Sequence, residues 1–102
     1  MGDVNYAYDN FCEAVDRMAA HSGNIRERLH VAFIIFSSVK EDDFPDELKP
    51  DYCWIKEKLT KKEPIFHEGR VKATLYGMRT KTAIKIANRI VYLKNRLKAS
   101  VG

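Results

Sequence analysis

Over residues 81–98, KTAIKIANRIVYLKNRLK, apolar side chains return at Ala83, Ile86, Ala87, Ile90, Leu93 and Leu97. Steps of three and four are the period of an α-helix, and they exclude the two-residue alternation of a half-buried strand. Such a segment carries an apolar arc over about half its circumference and has to lay that arc against other elements.

Those elements read as helices too. Val4, Tyr8, Phe11, Val15 and Met18 form one stripe and predict a first helix over 4–19, closed by His21, Ser22 and Gly23, with Asn24 placed to cap the next. Ile25, Leu29, Ala32, Phe36 and Val39 predict a second helix over 25–39, and Phe33 and Ile35 widen its seam enough to imply burial on more than one side. The run HVAFIIF would also suit a buried strand, but a lone strand has nothing to pair with.

In EDDFPDELKPD, Asp42 or Asp43 is expected to cap a short turn over 44–49, and Pro50 suits the first turn of a third helix reaching residue 61. Phe44, Leu48, Tyr52, Ile55 and Leu59 form its inward stripe, with Trp54 to one side. KKEPIFHEG reads as a surface loop whose Ile65 and Phe66 return to the core. The stripe of Val71, Leu75 and Met78 lies roughly 100° from that of residues 81–98, so one straight helix cannot bury both. A short helix over 70–77, a break at Gly77, and a long helix over 81–98 capped by Thr80 resolve the conflict. The expected fold class is all-α: a compact single-domain bundle of four to five helices in which the fourth braces an edge.

With 102 residues there is room for one domain, and 45% hydrophobic with 31% charged residues is a folding composition. The longest apolar run, VAFIIF, is far below the ~20 residues of a membrane-spanning helix, and Asp3 and Asp9 stand where an export signal would be basic. Cys12 and Cys53, far apart and outside any paired motif, are expected to be free, buried thiols. A cytoplasmic protein without membrane contact is the expectation.

Charge is the sharper signal. Residues 1–53 carry 5 basic and 11 acidic groups, whereas residues 54–102 carry 13 and 3. On the last helix Lys81, Lys85, Arg89 and Arg96 share a sector of about 80°, with Tyr92 among them. A row of cations around an aromatic ring suits a phosphate backbone or an exposed base; equally, such a row can be an ordinary solvated face. The segment KATLYGMRTKTAIKIAN resembles the helix-turn-helix of bacterial repressors: Ala73, Gly77 and Met78 match its first helix and turn, Ala83 and Ile86 its recognition-helix anchors. The resemblance covers about 20 residues and implies that Arg79, Thr80, Lys81, Thr82 and Lys85 face a major groove. Lys72 departs from it, standing where an apolar residue belongs, and the second helix is long for a recognition helix.

The acids at 41–51 are expected at helix N-termini or paired with the basic row, in the same chain or a neighbour. They lack the turn glycine of a calcium loop. Arg17 with His21 and Arg26 with His30 share helical faces, but their spacer is shorter than that of the helical HEPN-type ribonucleases that use an Arg and a His. No zinc spacing, phosphate-cradling loop or nucleophile elbow is present, so no metal, cofactor or catalytic residue is expected. The reading is a non-enzymatic binding protein acting through protein contacts or self-association as a dimer, with nucleic-acid binding by residues 70–98 as the alternative. Arg79, Lys81, Lys85, Arg89, Tyr92 and Arg96 are the candidate contact residues.

Overall fold

The computed structural model describes residues 2–61 and 69–101. Those residues form five α-helices: α1 Val4–Ala20, α2 Ile25–Phe36, α3 Lys49–Leu59, α4 Arg70–Tyr76 and α5 Thr80–Lys98, with short 3-10 turns at Glu41–Asp43 and Asp46–Leu48. No strand occurs among them, so the chain is all-helical. The expected loop over 61–69, with the return of Ile65 and Phe66 to the core, lies almost wholly outside the described residues.

α1 and α2 begin at side-chain caps, and the other three helices begin without one. Asp3 accepts from the backbone N–H of Asn5 at 3.0 Å and of Tyr6 at 3.2 Å, and Asn24 accepts from Glu27 N–H at 3.0 Å. Pro50 sits in the first turn of α3, where its missing donor costs nothing. Gly69 precedes α4 at φ +84°, a left-handed conformation that favours glycine. Thr80 is not the cap of α5; that position falls to Arg79, whose side chain makes no capping bond, and Thr80 is already helical.

The core face of α1 is rotated from the predicted stripe. Ala7, Phe11, Ala14 and Met18 are buried, while Val4, Tyr8 and Val15 are only half-buried. The shift is about 50° around the helix. Two fully buried alanines stand on the core face of α1, and α2, its most extensive neighbour, buries Ala32. A count of large apolar residues overlooks them.

α2 stops at Phe36, three residues before the predicted end. The Ser37 hydroxyl donates to the Ile34 carbonyl at 3.0 Å, and Val39 N–H closes a tight turn on Phe36 at 3.0 Å. Val39 still reaches the core, and its carbonyl accepts from the buried Tyr52 hydroxyl. Phe33 and Ile35, which widen the α2 seam, are half-buried and pack against the core, whereas Ile34, outside that seam, is 61% exposed. α3 ends two residues early, where the Thr60 hydroxyl takes the Lys56 carbonyl at 2.7 Å.

Around Phe11 an aromatic cluster joins three segments of chain. Its ring stacks on Phe36 at 4.8 Å and meets Phe44 and Tyr52 edge-on at 5.8 and 5.9 Å. Phe44, Leu48, Tyr52, Ile55 and Leu59 are all buried, as their stripe predicts, and so are Ala83, Ile86, Ile90, Leu93 and Leu97 of α5. That apolar arc fixes the orientation of α5. Its inner half packs on α1, α2 and α3, so the cations at 81, 85, 89 and 96 are turned outward on the side facing α3.

Both cysteines are free, but the expectation of burial fails. Cys12 is half-buried and Cys53 exposed. Cys53 follows the buried Tyr52 and so lies about 100° around the helix, off the inward stripe. The partial burial it retains, followed by the Glu41 carboxylate beside it, pushes its thiol above the ordinary range.

Candidate binding face on α5 and α3

The candidate contact residues fall into two groups. Arg79, Lys81, Lys85 and Arg96 are exposed, and Tyr92 is 45% exposed. Arg89 is half-buried: its guanidinium donates to the Asp51 carboxylate of α3 at 2.9 Å. That ion pair spans 38 positions and ties the basic half of the sequence to the acidic half.

Arg89 is also the middle of a ladder of alternating cations and rings. Its Cζ lies 5.2 Å from the Trp54 ring and 5.7 Å from the Tyr92 ring. Beyond Trp54 the ladder ends on Lys58, whose Nζ is 5.7 Å from the indole. Beyond Tyr92 it ends on Arg96, with Cζ 5.9 Å from the ring and an N–H donating to the Tyr92 hydroxyl at 3.4 Å. Each cation sits where the ring quadrupole attracts it, which orders long side chains that would otherwise wander. Between Lys85, Asn88, Arg89 and Tyr92 the surface dips into a shallow depression of about 450 Å³.

Trp54, Lys58 and Asp51 were not among the candidate contact residues. Their spacing, i, i+3 and i+7 from Asp51, places all three on one face of α3, and this was the available signal. What the sequence withheld was that this face would lie beside the cation row of α5.

The other acids of 41–51 stay off the basic row. Asp43 accepts from Asp3 N–H and Lys40 N–H, each at 2.9 Å, tying the start of α1 to the turn at Glu41–Asp43. Asp46 pairs with Lys49 at 2.6 Å, which holds its carboxyl below the usual range.

The two Arg–His pairs do not form joint sites. Arg17 lies 3.9 Å from Glu13, while His21 ends α1 and its Nδ1 accepts Gly23 N–H at 2.9 Å. Arg26 donates through two nitrogens to the Met78 carbonyl, pinning the α4–α5 turn to the start of α2. His30 instead lines two adjoining depressions of about 370 and 190 Å³ between α2 and α4, both shared with Lys72.

α4 and α5 are consecutive helices separated by residues 77–79, as the repressor motif requires, with Thr80 and Thr82 exposed beside the cations. The main neighbours of α4, however, are α2 and α3 rather than α5. Among the described residues no group of three His, Cys, Asp or Glu side chains is placed to hold a metal ion, and no helix is long and apolar enough to cross a membrane. No protein-family model matches the chain, and neither curated proteins nor solved structures yield a match.

Proposed function

We propose that this chain is a non-enzymatic binding protein whose working surface is the flank shared by α5 and α3, and that the partner it holds there is anionic. The carrying observation is the cation–aromatic ladder from Lys58 through Trp54, Arg89 and Tyr92 to Arg96, continued along α5 by the exposed Lys85 and Lys81. A solvated face has no need to order its cations. Here the ladder and the Asp51 ion pair order Lys58, Arg89 and Arg96, so a partner meets that part of the row with some side-chain entropy already lost.

The reading is tested by reversing charge where the row is free of the fold. Lys81→Glu with Lys85→Glu leaves Arg89 and its ties to α3 alone, and both side chains are exposed. Tagged wild type and double variant are used to capture partners from the source cells, with and without nuclease. Whatever the wild type holds should be missing from the variant, while far-UV circular dichroism of the two coincides. Equal capture by both would refute this working surface.

A further inference from the structure

We infer that the anionic partner is the sugar–phosphate backbone of a nucleic acid, tracked by the α5–α3 flank without reading of its bases. The inference rests on the proposal above and narrows it to one class of partner.

Three features of the flank favour a phosphodiester strand over an acidic protein. The row is long and narrow: from Lys81 to Arg96 it follows the axis of α5 for about 22 Å, at 1.5 Å per residue. That is long enough to meet several successive phosphates of one strand. Along the edge of the row away from Arg89 stand Asn88 and Asn95, exposed amides able to donate to phosphate and sugar oxygens. The depression lined by Lys85, Asn88, Arg89 and Tyr92 brings a free cation, an amide and the Asp51-paired guanidinium around one concave spot midway along the row, a seat for a single phosphate.

The aromatic residues argue the same way. Protein interfaces take much of their energy from Trp, Tyr and Arg anchors that enter a partner's pocket. On this flank the rings are already engaged: Trp54 lies under Arg89 and Lys58, and Tyr92 under Arg89 and Arg96. Each ring therefore already carries cations at cation–π distance, and a partner's pocket or a stacked base would have to displace them. What remains outward is charge and amide, which bind phosphate wherever it comes in the sequence.

The test is fluorescence anisotropy of the whole chain with labelled 12-nucleotide single strands of two unrelated sequences, and with their duplexes, across 20–200 mM salt. The two sequences should bind within about threefold of one another, because backbone contacts carry no sequence information. With four phosphates neutralised, by Lys58, Lys81, Lys85 and Arg96, log K against log salt should fall with a slope of about −3 on a single strand and slightly steeper on a duplex. Whichever of the two forms binds more tightly is the source of the backbone. Lys81→Glu with Lys85→Glu should cost at least ~30-fold, while Arg17→Glu with Lys40→Glu, the same change in net charge away from α3 and α5, should cost under ~3-fold.

Equal losses in the two double variants would overturn the inference, since attraction would then follow net charge alone. So would a preference above ~30-fold for one sequence, the mark of base reading. A third contrary result is no binding at 20 mM salt together with nuclease-resistant capture of a protein that the Lys81/Lys85 variant loses. The working surface would then stand with an acidic protein as its partner. If neither oligonucleotide binding nor capture depends on Lys81 and Lys85, the working surface itself is wrong.

Discussion

Arg89 of α5 and Asp51 of α3 meet at 2.9 Å, although their helices come from halves of the chain with opposite net charge. The pair has two effects of opposite sign for binding: it fixes the row of cations on α3, and it neutralises one member of that row. Asp51→Asn should therefore separate them. Because the Arg89 side chain is 40% exposed, solvent screens the pair, and its loss should cost only about 0.5–1 kcal/mol, a fall in Tm of a few degrees. The same variant frees a cation, so affinity for a polyanion at low salt should rise about two- to threefold. Thermal melting and anisotropy measured on one preparation check both signs.

Tyr52 is a second device for holding the elements together. Its buried hydroxyl donates to the Val39 carbonyl just beyond α2, and burial, then the nearby Asp43 and Cys53, push its ionisation well above the ordinary tyrosine range. A folded-state pKa raised in this way means that its contribution to stability is fully present below pH ~10 and is lost as pH climbs from there toward the folded value. Tyr52→Phe should cost about 1–2 kcal/mol at pH 7, leaving a carbonyl short of a partner, and should remove that part of the alkaline decline. Urea denaturation at pH 7 and at pH 10.5 compares the two chains.

The rotated face of α1 gives a contrast between neighbours. Ala14 is fully buried and Val15 only half-buried, so enlarging the first should hurt more than truncating the second. Ala14→Leu should cost about 1–3 kcal/mol through overpacking of the core, and Val15→Ala less than ~1 kcal/mol. Equal costs in chemical denaturation would place the core face back on the Val4–Tyr8–Val15 stripe.

Ile34 lies on the outer side of α2 and is 61% exposed. Ile34→Ser should change stability by no more than about 0.5 kcal/mol and leave polyanion binding untouched. A loss beyond that, read from the same denaturation curves, would mean that this side of α2 is covered.

The helices were legible because period needs only local sequence. α5 and the inward stripe of α3 stand where the spacing of Ile86, Ile90, Leu93, Tyr52 and Ile55 puts them. The face of α1 was less legible, since Ala7 and Ala14 are buried and a count of large apolar residues overlooks them. The end of α2 depended on Ser37 and Tyr52, one local competitor and one distant donor. Half of the candidate site was visible as a cation sector on one helix. Pairing of the 41–51 acids with that sector was one of two expectations and is met by Asp51; Trp54 and Lys58 were not visible, because they join the site only when α3 lies beside α5, and no spacing within α5 encodes that neighbour.

The most direct test is chemical-shift mapping of ¹⁵N-labelled protein titrated with inorganic polyphosphate, an anion with neither bases nor side chains. Shifts should concentrate at Lys81, Lys85, Asn88, Tyr92, Arg96 and the Trp54 indole N–H, and should reverse on addition of salt. Shifts centred on α1 or on the outer side of α2, with the α5–α3 flank silent, would contradict the account.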